Sequence, residues 1–288
     1  MPVAQMTHEE VIRYYDQCQS DYELVWHLKS KMAMHYGYWD ENTSSLREAL
    51  EKMNDHMASI IQARPGDYVL DAGCGVGGSS IYLAARHQCR TMGISLSEKQ
   101  IATCRSNAVT HQVGDRCLFE ARDYSSTGFE SGSFDAVWAM ESVCHANDKK
   151  AFLQEAFRLL KPGGRLAVAD FFSLPAGHEP DRRPMMQRWA DSWAVPFFEL
   201  SERFSGMMKE CGFIQINCGN ITDKIRPSAQ RLYYYFFPGW VIGNAMRLLS
   251  RRNQTLQKNL WSTYYQYKAL QKNLWNYMVF SAVKPKLT

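Results

Sequence analysis

The sequence predicts an α/β fold built on a seven-stranded, mostly parallel sheet with helices on both faces. Three observations predict it. From residue 67 onward, short apolar runs alternate with stretches of helical periodicity, the pattern of a parallel sheet covered on both sides. The first apolar run, "DYVLDAG", leads into a glycine loop in which Gly73, Gly75 and Gly78 fit G-x-G-x-x-G. The chain has 288 residues, 45% of them hydrophobic, enough for a single large domain with a sizeable core.

The elements follow in order. Val11, Tyr15, Cys18, Tyr22, Val25 and Met32 recur at helical spacing and predict an amphipathic helix over about residues 8–32. "HYGYWDENTS" breaks it, and Ser44 or Ser45 caps a second helix through about Gln62. Pro65-Gly66 hands over to the first strand. "SSIYLAARH" then reads as helix, "CRTMGIS" as strand, "SEKQIATCRSNAVTH" as helix, and "CLFEARD" and "FDAVWAM" as strands. "KKAFLQEAFRLL" is a helix ended by Lys161-Pro162-Gly163-Gly164, and "RLAVADFF" is the next strand. "ELSERFSGMMKECG" reads as helix and "FIQINCGNI" as strand. "RLYYYFFPGWVIGNAMRLLSRRNQ" is aromatic, basic and helical. "LQKNLW" occurs at Leu256–Trp261 and again at Leu270–Trp275, an offset that returns nearly to the same helix face, so both copies read as one helix with a repeated stripe. "NYMVFSAVKP" closes the chain as a strand. This order implies an N-terminal helical lid (1–64), a core (65–224), a helical insertion (225–275) and the core's final strand (276–288).

No uninterrupted apolar run reaches the roughly 18 residues of a membrane span. The first residues, "MPVAQMTHEE", have no basic and apolar leader pattern. The eight cysteines form no C-x-x-C, and most of them read as small core hydrophobes, which points to a reducing, cytoplasmic setting. Charge is uneven. From Lys224 to the end there are 11 Lys or Arg and no acid, while the rest carries 22 basic against 29 acidic residues. That asymmetry points to an anionic ligand or surface near the C-terminal segment, or to a solvated basic face.

Two features argue against a dinucleotide in the glycine loop. Asp71 stands at its mouth, where a carboxylate would repel a pyrophosphate. It would attract the ammonium and sulfonium of S-adenosylmethionine (SAM), unless it merely caps the turn. After the second strand the chain reads "GISLSEKQ", with Ser95 where a dinucleotide site expects an acid. Ser95 and Gln100 can hydrogen-bond a ribose without charge, or serve only as capping and solvent-facing residues.

The motifs "VLDAGCGVGGSS", "GISLSEKQ", "ARDYSS", "SFDAVWAMESVCHAND" and "LKPGGRLAVADFF" together resemble the class I SAM-dependent methyltransferases, with a Rossmann-like core. "MHYGYWDE", "GISLSEKQ" and "WAMESVCHA" are similar to the tocopherol, sterol and prenyl-diphosphate C-methyltransferase branch, although "MHYGYW" departs from the aromatic run of the sterol enzymes. The resemblance implies that Gly73 and Gly75 let backbone approach the methionine part of SAM and that Asp71 orders its amino side. It places the ribose on Gln100 and the Ser95–Leu96 region. Asp123 would meet the adenine, with Tyr124 beside the ring, and Met140 would line the cofactor site. Tyr15 and Tyr36 resemble lid positions over SAM. S-adenosylhomocysteine would be the product, and no metal is implied.

Methyl transfer from SAM needs alignment and exclusion of water more than activation of the donor. Glu141 is the first candidate for a base or cation stabiliser and His145 the second, both just beyond the fourth strand. In family terms the 225–275 insertion resembles a substrate cap. Its aromatics (the "YYYFFPGW" run, Trp261, Tyr264, Tyr265, Tyr267, Trp275) and its Arg226, Arg231, Arg247, Arg251 and Arg252 suggest a large apolar acceptor with an anionic group. A homo-oligomer interface and a cap resting on an anionic membrane fit the same segment. No N/D-P-P-Y/F follows the fourth strand and no Pro-Cys pair is present, so a nucleic-acid substrate is not expected. The expected activity is methyl transfer to a small, largely apolar natural-product or isoprenoid-like acceptor, at carbon ahead of oxygen or nitrogen. The alternatives are an N- or O-methyltransferase of a small aromatic or amine, and a SAM-fold binding protein or cyclase without methyl transfer.

Overall fold

The computed structural model describes residues 6–25, 32–248 and 254–286. Seven strands form one sheet: β1 (Tyr68–Ala72), β2 (Arg90–Ser95), β3 (Cys117–Ala121), β4 (Phe134–Met140), β5 (Leu160–Ser173), β6 (Ile214–Asn220) and β7 (Trp275–Val283). Their order is β3-β2-β1-β4-β5-β7-β6. The first five are parallel, and β7 runs antiparallel between β5 and β6. Alternate residues serve opposite faces. Val69, Trp138 and Ala167 belong to the core on one side, and Leu70, Val137 and Val168 to the core on the other. Both faces are buried, which is why the central strands read as apolar runs rather than as alternation. The strand order reverses between β1 and β4, and their carboxyl ends, at Ala72 and Met140, open the crevice where such sheets bind ligands.

The helices are α1 (His8–Val25), α2 (Leu46–Ile60), α3 (Gly78–His87), α4 (Glu98–Thr110), α5 (Lys149–Leu159), α6 (Arg183–Ser192), α7 (Ser201–Glu210), α8 (Thr222–Leu248) and α9 (Gln254–Gln271). Their starts carry the expected chemistry. Ser45 Oγ accepts from Glu48 N at α2, Ser97 Oγ from Gln100 N at α4, and Asp148 from Lys150 N and Ala151 N at α5.

Four local readings need correction. The first helix is described to Val25; residues 26–31 lie outside the described ones, and Met32 already has a left-handed backbone (φ 52°) in an irregular strap over residues 32–40. Lys161-Pro162-Gly163-Gly164 does not separate helix from strand. It is a bulge within β5, where the register jumps between Phe134↔Leu160 and Ala136↔Arg165, and Gly163 (φ 79°) donates its N–H to Lys284 O. Helix α6 has no counterpart in the reading above. Its packing rests on Trp189 and Met186 among charged neighbours and on Pro184 in its first turn. The second "LQKNLW" does not continue α9. The helix stops at Gln271, Asn273 turns left-handed (φ 53°), and Trp275 opens β7, with its Nε1–H on Gln266 O at 2.8 Å.

Helices α8 and α9 pack on one another through aromatic faces. Tyr233 lies against Tyr264 and Tyr267, and Phe236 against Trp261 and Tyr264, with ring centroids 4.8–5.7 Å apart. Helix α9 in turn backs α1 and α6, and Tyr14 Oη donates to Asn259 Oδ1 at 2.7 Å.

Candidate active site

A cavity of about 330 Å³ sits at the carboxyl ends of β1, β2, β3 and β4. Its wall brings together Asp71, Gly73 and Gly75 after β1, Ser95, Leu96 and Gln100 after β2, Asp123 and Tyr124 after β3, and Met140, Glu141 and His145 at the end of β4. Tyr36 joins them from the strap. Tyr15 is carried on α1, but its side chain lies outside the described ones. That helix reaches the cavity through Val11, Ile12 and Tyr14.

The glycines are there because nothing larger fits. At Gly73 (φ 91°) a Cβ would fall 2.4 Å from Ser142 Cβ, and at Gly78 2.0 Å from Met32 O. The first contact seats the glycine loop on the segment after β4, and the second seats the strap on the start of α3. Asp71 is buried and accepts from Ser80 Oγ at 2.6 Å, so the turn-capping role is present. Burial, the larger effect, still raises its carboxyl to about 6.

On the β2 side, Ser95 Oγ donates to Gln100 Oε1 at 2.6 Å, joining the two predicted residues directly. Ser97 Oγ also donates to Asp16 Oδ1 at 2.8 Å, which ties α1 to the rim. Asp123 Oδ1 accepts from Ser125 N at 2.7 Å in an Asx turn, and Oδ2 lies 3.3 Å from His8 Nε2. Tyr124 Oη donates to Ser142 O at 3.0 Å.

Glu141 occupies the centre. Its backbone is left-handed (φ 52°), a conformation that costs a non-glycine residue about 1 kcal/mol or more. Its Oε1 accepts two hydrogen bonds, from Tyr36 N at 2.7 Å and Tyr277 Oη at 2.8 Å. Oε2 has no partner among the described residues. Burial pushes this carboxyl up to about 8, against the pull of both donors. Tyr36 stacks on Tyr277 at 6.3 Å, and Phe171 meets both rings edge-on at 5.3 and 5.2 Å.

His145 ends the short 3₁₀ turn Val143–His145. Its Nδ1 lies 3.1 Å from Ala194 O, so Nδ1 carries the proton and Nε2 is the basic nitrogen. Burial lowers it to about 4, leaving it neutral at pH 7. Lys149 fastens this turn. Its ammonium donates to Cys144 O, Ala146 O and Phe197 O at 3.1, 2.7 and 3.1 Å. Asp170 fastens it from below, with Cys144 N donating to its Oδ2 at 2.8 Å.

Phe171, Trp193 and Tyr14 close the end of the cavity that carries Glu141 and His145. Among the described residues, none from 225–275 lines the cavity, and no Lys or Arg does. The predicted substrate-cap surface is therefore not part of this wall. Tyr233, Phe236, Trp261, Tyr264 and Tyr267 are spent on the α8–α9 contact, Arg226 pairs with Asp223, and Arg231 donates to Tyr235 Oη. Arg247, Arg251 and Arg252 lie outside the described side chains. Sequence reasoning also passed over Tyr277, Phe171 and Trp193, for which a buried aromatic in a strand or loop gave no signal of its own.

Residues 70–168 match the family model described as "Methyltransferase domain". The chain is 34% identical over 224 residues to the 27-O-demethylrifamycin SV methyltransferase of Amycolatopsis mediterranei, covering 77% of this chain and 80% of that one. It is a class I SAM-dependent methyltransferase. The chloroplastic tocopherol O-methyltransferase of Arabidopsis thaliana is 26% identical to this methyltransferase, over 75% of this chain and 66% of that one. Among solved structures, the geranyl diphosphate C-methyltransferase of Streptomyces coelicolor superposes with TM-score 0.75 at 17% identity, over 99% of this chain and all of that one. The [4+2]-cyclase SpnF superposes with TM-score 0.80 at 23% identity over the whole of both chains.

The cavity of this methyltransferase suits SAM chemically. Asp71 and Glu141 are carboxyls in a wall that holds no Lys or Arg among its described residues. A ligand with an ammonium and a sulfonium supplies the missing positive charge, and the Tyr36 and Phe171 faces suit a cation.

Proposed function

We propose that this enzyme methylates a hydroxyl of a neutral, largely apolar small natural product. One observation carries the reading: the wall around Glu141 and His145 is aromatic, holds groups able to take a proton, and has no Lys or Arg among its described residues. A diphosphate or carboxylate head would find no Lys or Arg counter-charge among the described residues there. The relatives' names lean the same way, toward oxygen and toward substrates such as demethylrifamycin, tocopherol and erythromycin. This moves the preference from carbon to oxygen.

In this reading Asp71 takes the ammonium of SAM, Gln100 with Ser95 and Leu96 takes the ribose, and Asp123 with Tyr124 takes the adenine. SAM supplies a methyl already activated by its sulfonium. Glu141 accepts the hydroxyl proton on Oε2 as the oxygen attacks, while Tyr36 N and Tyr277 Oη hold Oε1 and so fix the carboxyl plane. A base near 8 is well matched to neutral operation, and the nearby sulfonium draws it toward ionisation. His145 orients the acceptor, and Phe171, Trp193 and Tyr14 exclude water.

The test is transfer of labelled methyl from SAM to hydroxylated polyketides, phenols and prenyl diphosphates, with the new methyl located by NMR. Methyl ethers on neutral acceptors support the proposal. Label on carbon of a prenyl diphosphate overturns it and restores the carbon reading, which the geranyl diphosphate C-methyltransferase fold keeps in play. SAM binding with no label in any acceptor favours a cyclase-like use of the fold.

A further inference from the structure

Helix α8 has two faces. Ile225, Ala229, Leu232 and Phe236, spaced by three and four residues, are buried against the body of the protein. The outward face turns apolar in its second half: past Asp223 and Gln230, Tyr234 is 59% exposed, Phe237 48% and Val241 61%, with Trp240 (45%) and Tyr235 (40%) on the two flanks. These lie within eight residues of one helix, whereas the other large exposed apolar side chains, Val109, Leu118 and Ile214, are scattered over α4, β3 and β6. A contiguous patch of this kind marks an interaction surface.

We propose that this face docks on an anionic lipid bilayer. Tyr and Trp beside Val and Phe are the composition of a helix lying in a membrane interface. The two packed helices are themselves basic: α8 and α9 together carry six Lys or Arg against a single acid, Asp223. Arg231 sits on the same flank, its guanidinium 5.3 Å from the Tyr235 ring centroid and donating to Tyr235 Oη. A second copy is the poorer occupant. A two-fold contact brings the same face to itself, so it would oppose two segments of one charge sign. The surface is also wired to the site. The first turns of α8 hold the strap that carries Tyr36: Ser228 Oγ accepts from Gly37 N at 3.1 Å and from Trp39 Nε1 at 2.9 Å, and Trp39 N donates to Lys224 O at 2.8 Å. Docking would place the strap and its cavity beside the phase in which an apolar acceptor dissolves.

The experiment is flotation of the full chain with vesicles of phosphatidylcholine alone and of phosphatidylcholine mixed with phosphatidylglycerol. The expected result is binding to the mixed vesicles, at least tenfold weaker binding to the neutral ones, and further weakening with salt. Arg231→Gln should weaken it about fivefold. Tyr234→Ser/Phe237→Ser/Trp240→Ser should weaken it at least about a hundredfold while the circular dichroism spectrum and SAM affinity stay unchanged, since all three are exposed and none lines the cavity. Three results would overturn the proposal: equal or no binding to the two vesicle types, a dimer in light scattering that the triple variant splits, or binding to a single-stranded oligonucleotide at least as tight as to the mixed vesicles.

Discussion

Glu141→Gln isolates the central carboxyl. The amide keeps the shape of the side chain, and its oxygen can still accept from Tyr36 N and Tyr277 Oη. What it removes is ionisation. The carboxyl titrates near 8 in the folded protein against an ordinary 4.5. Below about 4.5 both folded and unfolded chains hold the proton. Between 4.5 and 8 the unfolded chain releases it and the folded chain does not, so stability falls with pH by about 1.4 kcal/mol per unit. The whole window amounts to about 5 kcal/mol, and the stretch from pH 6 to 8 to about half of that. The amide has no such slope. The melting temperature of Glu141→Gln, measured by calorimetry without SAM, should therefore rise relative to the parent by about 4 °C between pH 6 and 8. A gap that stays constant with pH would refute the argument, because it would mean that Glu141 is ionised in the folded state at pH 6. The same variant should lose about a hundredfold or more in turnover. It should also lose more affinity for SAM than for S-adenosylhomocysteine, which lacks the sulfonium.

Asp71→Asn should weaken SAM binding about tenfold or more in titration calorimetry. The apo melting temperature at pH 7 should not fall, since burial already opposes this charge; unchanged affinity would remove Asp71 from the cofactor site. Tyr277→Phe takes one donor from Glu141 Oε1, so the rise of turnover with pH should move upward; a profile that stays in place would show that this hydrogen bond does not set the carboxyl. Gly73→Ala combines a left-handed backbone with a 2.4 Å clash on Ser142 Cβ and should cost about 2–4 kcal/mol in chemical unfolding. Gly66→Ala, also left-handed (φ 87°) but with nothing within 4 Å, should cost about 1 kcal/mol.

The convergence of Asp71, Gly73, Gly75, Ser95 and Gln100 on one cavity was legible because it is local. A strand end, a glycine loop and the next strand end lie close in sequence, and each carries its chemistry in residue type: a carboxylate at 71, glycines where φ is positive, a Ser and a Gln at 95 and 100 that meet one another. Parallel β1, β2 and β4 then bring those short stretches to one edge, so recognising the order of strands was enough to assemble them. Pattern also located α2 and α4, whose caps are single serines at the residue before the helix.

At the other end of the cavity Glu141 and His145 were legible from the strand they follow, but the aromatic wall around them was not, for a different reason. Aromatic content reports how much apolar contact a segment will make and is silent on the partner. The C-terminal aromatics were assigned to a substrate, yet Tyr233, Phe236, Trp261 and Tyr264 satisfy one another across α8 and α9. The aromatic residues on the cavity wall come instead from places with weak signals: Phe171 in the mostly apolar second half of β5, and Trp193 just past α6, a helix whose charged residues hide its single buried stripe. Tyr277 is the sharpest case. It lies 136 residues from Glu141 and reaches it only because β7 turns back antiparallel beside β5, placing Phe171 opposite Tyr277. That reversed strand fixes the orientation of the carboxyl on which the proposed proton transfer depends. The sheet's one departure from parallel order thus shapes the reacting end of the site, while its parallel half shapes the cofactor end.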